Sequence, residues 1–177
     1  MGIDLAYFAA SDDESALEAE RRLGGPLGWP QVTGHRKAGL FRKEPIATEL
    51  GPAFDGFPAR GYDPIVNMGT LEELLTGRDY EAIVEDPRSG GSPGDCDQAH
   101  EDHGVMTLTD SLRDALADAD DSRLAELVGP WSQTEELQQP RWEIVTQDEH
   151  LEFLRTMRGL ARRAKDAGHR LYCYFAF

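Results

Sequence analysis

The chain has 177 residues, with 33 acidic against 18 basic side chains, a formal charge of -15 and a hydrophobic share of 40%. That length points to one domain, residues 1–177, and that share is enough to bury a core, so wholesale disorder is excluded. The negative balance argues against duplex DNA or an anionic membrane as a partner, because phosphate contacts need clustered Lys and Arg. No apolar run approaches the ~20 residues that span a bilayer.

Ile3–Ala9 reads as a buried strand: short, apolar and aromatic at Tyr7 and Phe8. Ser11 with Glu14 has the spacing of a capping box, in which each side chain satisfies a free amide at a helix start. Ala16, Leu17, Ala19 and Leu23 continue it as a short amphipathic helix, and Gly24, Gly25 and Pro26 stop it. From Pro26 to Asp63 the sequence is rich in Gly and Pro. It predicts long ordered loop with one short strand near Ala38–Phe41. His35, Arg36 and Lys37 form a small basic patch there, in an otherwise acidic half. Gly61-Tyr62-Asp63-Pro64 reads as a turn into Ile65–Val66.

Thr70 with Glu73 predicts a second capping box and a helix over Thr70–Leu75; Tyr80–Val84 fits helix or strand. Residues 87–104 carry four of the glycines and almost no apolar side chains, and read as a mobile surface loop. Val105–Leu108 is a strand or helix lead-in. Thr109 then caps a helix with apolar positions Leu112 and Leu116, resuming as Leu124, Leu127 and Val128. The stretch Asp118–Ser122 breaks it in two, with Ser122 as the new cap, and Gly129-Pro130 end it. The last helix is the clearest. Thr146 with Glu149 boxes its start, and Leu151, Leu154, Met157, Leu160, Ala161 and Ala164 form its stripe. Gly168 closes it, and Arg170–Phe177 follows as a strand. A terminal apolar strand at each end predicts an α+β domain: a small sheet that includes the N- and C-terminal strands, with helices packed on one face.

The charge is uneven. Residues 95–140 hold 12 acidic and 2 basic side chains, whereas 141–177 hold 5 and 7, so the acidic stretch precedes a locally basic helix carrying Arg155, Arg158, Arg162, Arg163 and Lys165. Either the two pair within the molecule, or the acidic one presents a docking surface. That surface would comprise Asp110, Asp114, Asp118, Asp120, Asp121, Glu126, Trp131, Glu135 and Glu136, and would take a basic protein partner. Trp29, Trp131 and Trp142, each beside a proline or one residue from it, are lids over the core or interface anchors.

The densest set of metal-ligand types lies between Asp95 and His103, with Asp95, Cys96, His100 and His103 as the candidates. Three such ligands and a water make a catalytic zinc site, but neither a paired CxxC nor a helical HExxH is present. Arg88–Gly94 is glycine-rich yet lacks the Gly-Lys-Ser/Thr ending of a phosphate loop. Cys173 reads as a small buried hydrophobe, and His150 and His169 as cap or surface histidines at the two ends of the last helix.

Met1-Gly2-Ile3 with Tyr7-Phe8-Ala9 and an acidic helix, the segment Leu108–Leu127, and the closing helix and strand from Leu151 resemble the YfbM-like family of small bacterial proteins. The resemblance implies a compact α+β domain of cytoplasmic origin with no established activity. No cofactor is expected. Together these readings favour a non-enzymatic acidic protein-binding domain, with a toxin-neutralising immunity protein as its most concrete version. The alternative is a small-molecule or metal-dependent enzyme built on the 95–103 cluster.

Overall fold

The computed structural model describes residues 4–28, 31–37, 39, 43–48, 51–59, 61–94, 102–138 and 145–177. Its frame is a four-stranded, wholly antiparallel sheet of β4 (Asp55–Pro58), β1 (Asp4–Ala10), β6 (Arg170–Ala176) and β5 (His103–Thr107), in that spatial order. The two terminal strands are the central pair, running from Asp4 opposite Ala176 to Ala10 opposite Arg170. Because a strand points successive side chains to opposite faces, a strand buried on both faces must be apolar throughout, as Ala6–Ala10 and Leu171–Tyr174 are.

The expected α+β architecture is therefore present, and the helix layer is uneven between the two faces. Tyr7, Ala9, Leu171 and Cys173 meet α2 (Val66–Thr76), α4 (Asp110–Asp118), α5 (Asp121–Ser132) and α7 (Gln147–Ala167) in the larger core. Ala6, Phe8, Ala10, Tyr172 and Tyr174 point the other way, onto α1 (Asp13–Arg21) through Ala16 and Ala19, with Leu27 and Phe54 at the margin. One helix thus lies on the face opposite the rest, because the central strands have apolar side chains on both sides to cover.

Helix α7 matches its sequence reading. The Thr146–Glu149 box is made, with the Glu149 carboxylate accepting the Thr146 amide at 2.7 Å, and Gly168 takes the left-handed conformation at φ 70°. Its buried stripe also includes Phe153 and His150, while Leu151 sits at its edge. Helices α4 and α5 break where expected, and Thr109 accepts the Leu112 amide at 3.1 Å.

Other local signals are displaced. The cap of α1 is Asp12, not Ser11: its carboxylate takes the Ser15 amide at 2.7 Å, and Ser11 donates to Asp12 instead. The apolar side of α1 ends before Leu23, which is exposed. The cap of α5 is Asp120 rather than Ser122. Helix α2 starts at Val66, four residues before the expected box. The Asp63 carboxylate accepts the Ile65 and Val66 amides there, and Thr70 donates back to the Asn67 carbonyl. Carboxylates win these positions because they are stronger acceptors than hydroxyls for free amides at a helix start. Tyr80–Val84 is helical, as α3.

Pro26–Asp63, read as mostly loop, contains β4 and a separate two-stranded ribbon, β2 (Gln31–Lys37) and β3 (Lys43–Thr48). The strand expected at Ala38–Phe41 falls largely outside the described residues. The ribbon flanks it, with a bulge between Val32 and Gly34. In the 87–104 stretch, residues 87–94 lie along edge strand β5. Gly90 donates to the Thr107 carbonyl at 3.0 Å, the Thr107 amide to Gly91 at 2.8 Å, and the Thr107 hydroxyl to Arg88 at 2.9 Å. His103 and Gly104 at its far end already belong to β5.

Among the described residues, no helix is long and apolar enough to cross a membrane.

Candidate functional site

The acidic stretch and the basic helix do meet. Helix α7 packs against both α4 and α5, so its cations face their carboxylates. Lys165 Nζ reaches Asp118 at 2.6 Å, and Arg158 reaches Asp121 at 2.8 Å with Arg155 at 3.8 Å. Arg162 donates instead to the Ala117 and Ala119 carbonyls, at 2.8 and 2.7 Å. It thereby satisfies orphan acceptors at the negative end of α4. Asp110 takes Arg113 at 3.2 Å and Arg170 at 3.8 Å; Asp114 takes Arg113 at 2.9 Å; Glu126 takes Arg123 at 3.6 Å. Asp120 is spent on its cap. Glu135 is exposed and Glu136 half-buried in α6 (Glu135–Gln138).

The pairing is asymmetric. Asp121 keeps 69% of its side chain in solvent while its partner Arg158 keeps 14%. Asp118 and Glu126 are similarly open, at 71% and 66%. The arginine is the inner member, and the carboxylates form the outer surface of the α4–α5 junction. Exposed ion pairs of this kind contribute ~0–1 kcal/mol, so they yield readily to a better-placed cation.

Trp131 is not part of that surface. It is fully buried, stacked on Tyr62 and Phe153 with ring centroids at 5.7 and 5.9 Å, and donates its indole N–H to the Asn67 carbonyl at 3.1 Å. The surface reading of this residue is corrected: Gly129-Pro130 does not end α5, which carries Trp131 on into the core. Of the other two tryptophans, Trp29 and Trp142 lie outside the described residues.

Asp95, Cys96 and His100 also lie outside them. His103, the fourth candidate ligand, sits half-buried in β5 with its ring 6.3 Å from that of Tyr174. Among the described residues no group of three or more His, Cys, Asp or Glu side chains is placed to hold a metal ion.

Three polar networks, two of them buried, escaped the sequence reading. Asp13 accepts from Tyr172 at 2.7 Å and Arg88 at 2.9 Å, and Arg88 lies over the Tyr172 ring at 5.5 Å. Burial alone would raise the Asp13 carboxyl. The Tyr172 and Arg88 hydrogen bonds, with the charges of Arg88 and Arg170, outweigh it and hold the group below the usual range. Burial, and then the hydrogen bond to Asp13, raise the Tyr172 phenol. Glu72, 1% exposed, takes Arg78 at 2.8 Å, Thr109 at 2.5 Å and the Ser111 hydroxyl. His150 is in the core rather than at the surface, sharing a 3.0 Å hydrogen bond with the Tyr62 hydroxyl. No local signal marked them: Asp13 stands in the run Asp12-Asp13-Glu14, Glu72 beside Glu73, and His150 directly after Asp148-Glu149. Cys173 is buried as read, and burial pushes its thiol far up, so it stays protonated and inert.

An open cleft of about 440 Å³ lies at the β1–α1 corner, lined by Ser11, Ser15, Glu18, Arg22, Asp55 and His169 among others. Ser11 and Ser15 share a 2.9 Å hydrogen bond there and Arg163 holds Asp55 at 2.6 Å from outside the lining, while the buried Arg22 Nη1 has no hydrogen-bond partner among the described residues. No family model, no curated protein and no solved structure matches this chain.

Proposed function

We propose that the chain is a non-enzymatic protein-binding domain that docks a basic partner on the carboxylates of the α4–α5 junction, in the manner of a toxin-neutralising immunity protein, and that it is kin to the YfbM-like proteins. One observation carries this reading: Asp118, Asp121 and Glu126 each leave about two-thirds of their side chain in solvent, while the cation holding Asp121 is tucked beneath it. An incoming Lys or Arg exchanges one weak surface pair for another and adds buried contact area. The carboxylate field also steers the encounter, an effect that salt weakens.

The test is capture from host lysate at about 50 mM and about 500 mM salt, with the wild-type chain and an Asp118→Lys/Asp121→Lys variant side by side. A basic protein retained at low salt by the wild type alone is the expected result. Identical recovery by both proteins, or by neither, rejects the docking face.

A further inference from the structure

Among the described residues, the β2–β3 ribbon contributes no side chain to either core. It leaves the body after Gly28 and rejoins it at Gly51. At that point the Pro26 carbonyl accepts the Ala53 and Phe54 amides at 3.1 and 3.3 Å, and the Arg22 guanidinium donates to the Gly51 carbonyl. Beyond this clasp the ribbon packs on no other element to any extent among the described residues. A two-stranded ribbon alone is marginally stable at best in water, so an external surface that orders it has a thermodynamic role to fill.

Its charge says which surface. Residues 31–48 carry four basic side chains and one acid, while the rest of the chain carries 14 and 32, which makes a +3 arm on a -18 body. The register sets His35 opposite Pro45, Arg36 opposite Glu44 and Lys37 opposite Lys43. Alternation therefore places His35, Lys37 and Lys43 on one face and the Arg36–Glu44 pair, closed at 3.0 Å, on the other. The arm's acid is consumed on the second face. The first is left with like charges directly opposed, an arrangement that costs stability and that an anionic surface relieves. Pairing two ribbons edge to edge would bring such lysines together, so the relief must come from the body.

We infer that the His35/Lys37/Lys43 face of the ribbon docks onto the Asp118–Asp121 carboxylates of a second copy of this chain. The inference rests on the proposed docking face and names its partner. The copy's own carboxylates are out of reach. Leu27, at the base of the arm, packs on the α1 side of the sheet, whereas α4 and α5 lie on the other side. Reciprocal docking closes a two-fold dimer, each arm on the other's body. Nucleic acid fits less well. A ribbon that binds single-stranded nucleic acid stacks bases on aromatic rings, and residues 31–37 and 43–48 contain no Phe, Tyr or Trp.

Sedimentation velocity on the full chain tests this, over about a hundredfold range of concentration at about 50 mM and about 500 mM salt. The expected result is a concentration-dependent dimer at low salt that is about tenfold or more weaker at high salt. Lys37→Glu/Lys43→Glu and Asp118→Lys/Asp121→Lys should each be monomeric, and an equimolar mixture of the two should dimerise again. Lys37→Gln/Lys43→Gln, folded by circular dichroism, should also dimerise more weakly and covers the case in which charge reversal unfolds the arm. A wild type that stays monomeric throughout, a dimer indifferent to the ribbon variants, or a mixture that fails to re-form it overturns the inference. So does capture of a single-stranded oligonucleotide by the wild type that the ribbon variants abolish. A monomeric wild type leaves the docking face itself to the lysate experiment, so the two readings fail separately.

Discussion

Glu72 is a carboxylate taken almost wholly out of water, which costs several kcal/mol before any partner is counted. Arg78, Thr109 and Ser111 surround it, and they tie α2 to the start of α4. Removing one partner of such a pair costs more than removing both, because the survivor stays buried and unpaired. Arg78→Met should therefore destabilise the protein by about 2–3 kcal/mol, discounted because Arg78 is 35% exposed. Glu72→Met/Arg78→Met should lose less than that single variant. Urea titrations of the wild type, Glu72→Met, Arg78→Met and the double variant measure the cycle, and a double variant less stable than Arg78→Met would refute the buried-charge account. Nothing local in the sequence marks Glu72. It follows Leu71 in an ordinary acidic pair with Glu73, and its burial is decided by Ser111 and Thr109, nearly 40 residues away.

At the level of elements, the legible parts were those whose signals are local. The α7 box, stripe and closing glycine all lie within one helix, and all hold. Helix α5 shows the opposite case. Pro at position 130 lacks an amide to donate and would ordinarily stop a helix, yet the chain keeps helical form through Ser132. Trp131 is the reason: its stacking on Tyr62 and Phe153 and its bond to Asn67 outweigh one lost backbone bond. Trp131→Ala should cost about 3–5 kcal/mol. Trp131→Phe should cost about 1 kcal/mol, because it keeps the stacking and loses only the indole bond to an Asn67 carbonyl that Thr70 still serves. Thermal or urea unfolding reads both, and equal losses would show that the ring stacking carries nothing. The ribbon was missed because its strands are charged and interrupted by Pro45, so neither alternation nor apolar content marks them.

The whole molecule is a polyanion in which three hydrogen-bonded carboxylates are held below their ordinary range. Asp13 is depressed as described; Asp12 is lowered by the Ser15 amide and then the Ser15 and Ser11 hydroxyls, and Glu149 by the Thr146 amide and hydroxyl. Groups depressed in the fold bind protons more readily once unfolded. Their stabilisation is complete above the ordinary carboxylate range and is lost as pH falls through the folded values. Self-repulsion acts in the other sense, fading between pH 7 and the pI near 4.6. The urea midpoint should thus change little or rise slightly down to about pH 5 and fall steeply below about pH 4. Asp13→Asn should lower the neutral plateau and flatten the acid limb. An acid limb unchanged by that substitution would show that Asp13 does not contribute to it. Composition foretold the acidity but not its arrangement, because the partners of Asp13 stand 75 and 159 residues away.

The order β4-β1-β6-β5 also has a consequence for how the chain is made. The strand that belongs beside β1 arrives about 160 residues later, and closing so long a loop costs about 4–5 kcal/mol of chain entropy before any contact forms. Until β6 has been synthesised, Ala6–Ala10 has only the short β4 to pair with, and the large helical core has no sheet to rest on. The nascent protein therefore carries a bare apolar strand on the ribosome while those intervening residues are made, in need of shelter until β6 slots into the middle.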